Sequence, residues 1–281
     1  MSECSLGIDI GGTAVKVAVR DDRGWRVGTS DRYSRPDRSA LQSAIRDAVG
    51  RAGVDGTASA VGLCVPGIPS EDGSRIVTAV NVPGLEGWAF DELMRESIGK
   101  PAAIYRTNDA AAATVDWIAS HKVTGRVAGI AIGTGVGLSI VEDGVPVCWT
   151  DSAAGHLGQI DVTVGDAASA PVGPDGGRGG LEAYIGVAAV REAGGIEAAF
   201  QSGAPATIAL ARAIRIVHAM HRPDVVVLLG GVGSRLAAMA EVEAAVRADL
   251  TSLARPGWVL AFGDDDHHAA RGAARLASAL Q

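Results

Sequence analysis

Two β-rich apolar runs, Leu6 to Ile10 and Val15 to Arg20, flank Gly11-Gly12-Thr13, which predicts a hairpin whose tight turn needs positive φ or close backbone approach. From Ser39, the N-cap candidate, Leu41, Ala44, Ile45, Ala48 and Val49 recur at helical spacing, and Ala60 to Val65 is then a strand-like run closed by Pro66-Gly67. A helix around Phe90 to Ile98 and a strand around Ala102 to Arg106 lead to Asn108-Asp109, after which Ala110 to Ala119 is rich in strong helix formers. This alternation predicts an α/β fold.

The pattern then restarts. Arg126 to Ile132 reads as a strand entering Gly133-Thr134-Gly135, and Leu138 to Glu142 as the strand leaving it. Gly7-Ile-Asp-Ile-Gly and Gly129-Ile-Ala-Ile-Gly share one frame, which suggests two halves of a repeated design. Asp166 to Gly180 is rich in Gly, Pro, Ala and Asp without periodicity and reads as an ordered loop or flap. Thr207 to Met220 reads as a helix, Val225 to Leu229 as a buried strand ending in Gly230-Gly231, and Ala269 to Leu280 as a closing helix.

The length of 281 residues suits one large or two medium lobes, and 38 glycines are near double the usual share, so many backbone positions turn sharply or approach something closely. A net charge of −7 without a lysine-rich run leaves a nucleic-acid binder without its electrostatic footprint. Cys4, Cys64 and Cys148 are isolated thiols that suit a reducing compartment. With neither a signal-peptide pattern at the start nor a membrane-length apolar window, the expectation is a cytoplasmic protein with no membrane partner.

Gly-rich turns after strands offer N–H groups to anionic oxygens, with Thr13 and Thr134 as hydroxyl donors; the plain alternative is an ordinary hairpin turn. Asp9, a carboxylate on a buried strand, needs a cation or donors and would suit a water-bound Mg²⁺ beside a triphosphate, or it caps its own turn. Neither turn matches the P-loop pattern, and no GxGxxG opens a helix after the first strand.

The runs Gly7-Ile-Asp-Ile-Gly-Gly-Thr-Ala-Val-Lys16 and Gly129-Ile-Ala-Ile-Gly-Thr-Gly-Val-Gly137 resemble the two phosphate motifs of actin-like sugar kinases, and among them the ROK family. Val61-Gly-Leu-Cys-Val-Pro-Gly67, Asn81-Val-Pro-Gly84 with Trp88, Asn108-Asp109-Ala-Ala, Leu181-Glu-Ala-Tyr184 and Val226-Val-Leu-Leu-Gly-Gly-Val-Gly233 follow in that family's order. The resemblance implies two actin-like, ribonuclease H-like lobes with a cleft between them: a smaller lobe of residues 1–112 closed by a C-terminal helix at 269–281, and a larger lobe of 113–268. It also implies ATP and Mg²⁺ as cofactors, lobe closure on substrate, and a homodimer.

By the same resemblance Asp9, Gly11, Gly12, Thr13, Lys16, Gly133, Thr134, Gly135, Gly137, Gly230, Gly231 and Gly233 are the ATP-binding positions, Asp9 through a water-bound Mg²⁺. Gly67, Asn81, Asn108, Asp109, His156, Gln159 and Glu182 fall at sugar-binding positions, and Asp109 at that of the general base, which orients an alcohol and receives its proton. On local sequence alone, Asn108 or Asp109 equally serves as the N-cap of the following helix, and Asn81 as a turn residue.

The family's Gly-Glu-x-Gly-His run and its Cys-rich zinc loop are absent. Aligning Ala154-Gly-His-Leu-Gly-Gln-Ile-Asp-Val162 puts His156 at the sugar-contacting Glu position and Gln159 at the zinc-ligating His, while Gly173, Asp175 and Gly180 stand at the three Cys positions. No structural zinc is therefore expected. A second placement sets His156 on the His and Ala153 on the Glu. Either removes an acidic sugar contact, and an imidazole can donate as well as accept. His156 also reads as a plain loop histidine, His267-His268 as surface or loop histidines without a ligand role, and Asp264-Asp265-Asp266 as a solvated acidic loop.

The expectation is a kinase of a hexose hydroxyl, glucose-type at the 6-position, with an amino or N-acetylated hexosamine as alternative acceptor. A non-catalytic sugar or nucleotide sensor is the reading from another class. A repressor would need a DNA-binding module ahead of Leu6, where the sequence leaves no room for one.

Overall fold

The computed structural model describes residues 5–22, 24–54, 58–99, 103–147, 155–174 and 176–279, so Cys4, Cys148, Ala153, Ala154 and Asp175 lie outside the described residues. These residues divide into two units, one of 5–116 with 267–279, the other of 117–147 with 155–266.

In the first unit, Leu6, Ile8 and Ile10 alternate along β1 (Ser5–Ile10), which continues through the turn into β2 (Val15–Asp21) and β3 (Gly24–Thr29). The apolar face of these strands is covered by α1 (Arg38–Arg51) through Leu41, Ile45 and Ala48. Its N-cap is Asp37, whose side chain accepts from Ala40 N, and not Ser39: the carboxylate satisfies an N–H that would otherwise have no partner. Then follow β4 (Ala60–Cys64), the small pair β5 (Ile68–Pro69) and β6 (Ile76–Thr78), α2 (Phe90–Ile98), β7 (Ala103–Thr107) and α3 (Asp109–His121), which begins in this unit and ends in the other. The sheet order is β3-β2-β1-β4-β7, antiparallel through the hairpins and parallel from β1 to β4 to β7.

The second unit repeats this topology. Strands β8 (Arg126–Ile132), β9 (Val136–Glu142) and β10 (Val145–Pro146) are antiparallel neighbours. After the short helices α4 (Glu182–Ile185), α5 (Val187–Glu192) and α6 (Ile196–Ala199) comes α7 (Pro205–His221), whose Leu210, Ile214 and Val217 join Ile130, Ile132 and Leu228 in one core. Next are β11 (Val225–Leu229), α8 (Gly230–Gly233), α9 (Ala240–Asp249) and β12 (Val259–Phe262), giving the order β10-β9-β8-β11-β12 with β8, β11 and β12 parallel. The repeat suggested by the Gly-Ile-x-Ile-Gly frame is thus a repeat of the whole sheet.

The last helix, α10 (His268–Ser278), returns to the first unit. It is packed backbone to backbone: a Cβ at Gly7 would overlap the Ala270 carbonyl, one at Gly62 the Ala273 carbonyl, and one at Gly272 the Ala112 carbonyl of α3. No side chain fits at these three contacts, which explains the glycine at each. His268, expected at the surface or in a loop, is instead 2% exposed: it opens α10 and meets a buried carboxylate, Asp116. His267 is partly buried, with Nε2 2.9 Å from Thr29 Oγ1. Asp264, Asp265 and Asp266 are exposed. Among the described residues no helix is long and apolar enough to cross a membrane.

Candidate functional site

In the first unit the site residues gather at the carboxyl ends of the parallel strands, where open α/β sheets place their ligands. Asp9 points to the face opposite Leu6, Ile8 and Ile10; it pairs in register with Lys16 on β2 and with Cys64 on β4, and Cys64 in turn with Thr107 on β7. Asp9 is partly buried, and burial raises its carboxyl pKa to about 6; Lys16 pulls it down and the charge of Asp109 pushes it up. Of the two needs expected of the Gly11-Gly12-Thr13 turn, close approach is the one found. Neither glycine has positive φ, and a Cβ on Gly11 would sit 3.0 Å from Ala14 O.

Of Asn108 and Asp109, either of which could cap the following helix, the structure gives the cap to Asn108. Asn108 Oδ1 accepts from Ala111 N at 2.6 Å, which is the N-cap bond of α3. Asp109, the first helical residue, is exposed, with Oδ1 2.8 Å from Ala110 N. The thiol of Cys64 is buried between the carbonyls of Asn108 and Ala269, at 3.8 and 3.6 Å. Burial first, then the charges of Asp9 and Asp109, push it well up, so it stays protonated. Gly67, at φ +102°, is exposed and approaches the Thr78 carbonyl, while Asn81 is partly buried just ahead of a 3₁₀ turn at Pro83–Leu85.

In the second unit Gly133 N donates to Gly135 O at 2.9 Å and Val187 N to Gly133 O at 2.9 Å, closing the second turn onto α5. Glu182, at the start of α4, accepts from Val136 N through Oε2 at 3.1 Å, and that oxygen would be 3.3 Å from a Cβ on Gly135 and 2.9 Å from one on Gly158. The structure therefore brings Glu182, Gly133, Thr134, Gly135 and Gly137 together with the 3₁₀ turn Leu157–Gln159, on which His156 and Gln159 are both exposed. Gly230, Gly231 and Gly233 form the short α8 directly after β11, and Gly230 adopts φ +80° against the Ile132 backbone. Both turns thus leave the carboxyl edge of the second sheet.

Two features escape a reading of the sequence. Tyr33, from the segment after β3, reaches the first turn: its hydroxyl donates to Gly11 O at 2.6 Å and its N–H to Thr13 O at 2.9 Å. Asp116 lies within the Ala-rich α3, fully buried, and accepts from His268, Arg271 and Arg275. A carboxylate on an otherwise apolar helical stretch is the signal that could have found it, since a buried charge needs partners.

The ROK family model matches residues 5–279. An N-acetyl-D-glucosamine kinase of Yersinia pestis bv. Antiqua (strain Nepal516) is 30% identical over 195 residues, 64% of this chain and 73% of that protein. The matching stretch spans only 61% of the corresponding kinase of Yersinia pseudotuberculosis serotype O:1b (strain IP 31758). Among solved structures, a ROK family glucokinase from Streptomyces griseus in complex with glucose and AMPPNP superposes with a TM-score of 0.76 at 21% identity, over 98% of this chain and 99% of that one. The ROK hexokinase from Thermus thermophilus gives 0.73 at 22% identity, over 99% and 98%. The chain belongs to the ROK family and has its two-lobed, actin-like α/β fold.

Proposed function

We propose that this chain, a ROK-family sugar kinase, transfers the γ-phosphoryl group of ATP to a hydroxyl of a hexose, with Asp109 as general base. The observation that carries the reading is the division of labour at the start of α3: Asn108 caps the helix, so the exposed Asp109 carboxylate is not needed for that bond. Asp109 orients the acceptor hydroxyl and takes its proton as the phosphoryl group arrives; a loose transition state releases that proton late, so alignment matters more than basicity.

Asp9 fits a water-bound Mg²⁺: a partly buried carboxylate titrating near 6 is ionised at neutral pH at a cost that a cation offsets. Such an ion would neutralise charge on the phosphates. The turns Gly11–Thr13 and Gly133–Gly135 offer N–H groups to phosphate oxygens, and Gly230, Gly231 and Gly233 leave room for adenosine. Gly67, Asn81, Asn108, His156, Gln159 and Glu182 are the proposed sugar contacts.

A structural zinc does not fit the flap, because Gly173 and Gly180 have no ligating side chain and Gln159 stands where a histidine would be needed. Protein bonds hold the described part of that flap. Arg178 donates to the carbonyls of Ala168 and Ala170 at 3.1 and 2.7 Å, and Gly179 N to Pro171 O at 2.8 Å.

Glucose and N-acetylglucosamine are the two acceptors that the named relatives suggest, and His156 in place of an acid keeps both open. ADP release over a panel of hexoses and N-acetylhexosamines, with Asp109→Ala beside the wild type, tests the reading. One sugar should give turnover that Asp109→Ala lowers at least a thousandfold while ATP still binds. Binding without turnover for every sugar would favour a sensor instead.

A further inference from the structure

The first glycine turn is held from one side by a single residue. Tyr33 donates its hydroxyl to Gly11 O and its N–H to Thr13 O, at 2.6 and 2.9 Å. In a trans peptide the carbonyl and the next N–H point in opposite directions. Fixing the Gly11 carbonyl toward Tyr33 therefore turns the Gly12 N–H away from it, and fixing the Thr13 carbonyl does the same for the Ala14 N–H. Among the described residues neither of these N–H groups has a protein acceptor. Gly11 N–H, by contrast, is used within the turn, donating to Ala14 O at 3.1 Å.

We propose that Tyr33 is a positioning residue for the nucleotide: by occupying the two carbonyls it aims the Gly12 and Ala14 N–H groups, as a preset pair of donors, at a phosphate oxygen of a nucleoside triphosphate. The phenol is suited to the task. Burial, and then the charge of Asp9, push its pKa far up, so the hydroxyl is a permanent donor even beside a carboxylate. The first bond belongs to the side chain and the second to the backbone, so Tyr33→Phe removes only the first while keeping the ring in place.

The inference rests on the phosphoryl-transfer reading, and the experiment separates the two. With the wild type and Tyr33→Phe, the KM values for ATP and sugar, kcat, and the calorimetric Kd of a non-hydrolysable Mg-nucleotide are measured. Loss of one neutral hydrogen bond should raise the ATP KM and the nucleotide Kd about three- to tenfold. The sugar KM should stay unchanged and kcat move less than twofold, a split that general loosening of the fold would not produce. Unchanged nucleotide constants, or equal losses for both substrates, would overturn the role of Tyr33. If the wild type binds nucleotide but phosphorylates no sugar, the kinase reading falls while the Kd comparison still decides the proposal; a wild type that binds no nucleotide overturns both.

Discussion

His268 Nδ1 lies 2.8 Å from Asp116 Oδ2, with the His268 side chain 3% exposed and that of Asp116 fully buried. An ionised carboxylate only accepts, so the proton of this bond sits on Nδ1. Arg271 Nε and Arg275 Nε complete the cluster, each at 2.7 Å, joining α10 to α3 by charge as Gly272 joins them by contact. Burial would push the Asp116 carboxyl up, but hydrogen bonds from His268, Arg275 and Arg271 outweigh it and hold it below the ordinary carboxylate range.

Removing this carboxylate takes away the buried acceptor that His268, Arg271 and Arg275 share. Asp116→Ala is expected to cost about 3–5 kcal/mol at pH 7, and Asp116→Asn, which keeps one acceptor, less. A carboxyl with lowered pKa stabilises the fold above its unfolded value of 3.8 and loses that effect as pH falls through the folded value. Urea titrations at pH 7 and pH 3.5 check this: the gap between wild type and Asp116→Ala should narrow at the lower pH.

His218 presents the opposite case. It is 1% exposed, packs edge-on to Trp258 with centroids 4.6 Å apart, and neither ring nitrogen has a partner among the described residues. Burial lowers its pKa below 6.5, so its neutral form favours folding above that value and the benefit disappears as pH falls through the lowered one. His218→Phe should keep the Trp258 contact, hold or raise Tm at pH 7.5, and lose less Tm than the wild type between pH 6.5 and 5. Identical acid limbs in the two proteins would refute this.

Asp9, the position proposed for Mg²⁺, carries a cost to stability. Its folded pKa of about 6 lies above the unfolded 3.8, so its contribution is favourable below 3.8 and fades as pH rises through 6. At pH 7.5 the ionised group costs on the order of 1–3 kcal/mol. Asp9→Asn should therefore raise Tm at pH 7.5 while weakening Mg-nucleotide binding at least tenfold. Wild-type affinity should strengthen from pH 5.5 to 7.5 and that of the variant should not, as calorimetry at the two pH values would reveal.

Elements whose apolar residues follow a clean period were legible from the chain alone. Helix α2 and strands β8 and β11 have the expected bounds because the side chains that set the pattern are the ones that fill the core. Strand β3 is not legible in this way, because its buried position is Gly28, which has no side chain to mark it, while Val27 is exposed; nor is α9, whose Ala and Glu residues give only a narrow apolar stripe. The motif residues were legible as spaced glycines and acids. Their supports were not: Tyr33 acts on a turn about 20 residues away, and Asp116 meets His268 152 residues along the chain. Local periodicity has no bearing on such pairings, and only a buried charge without a neighbour in its own segment hints at them.

The position of α10 also shapes how the chain comes to its fold. The sheet of the first unit emerges first, yet the face carrying Gly7 and Gly62 receives its covering helix only after about 150 intervening residues have been made. At synthesis rates of about 5–20 residues per second, that face stays uncovered for roughly 8–30 s, long after the second unit has started to assemble. Closing that face is therefore the last step of the first unit that the growing chain can complete, since the residues that cover it are the last of the unit to be made.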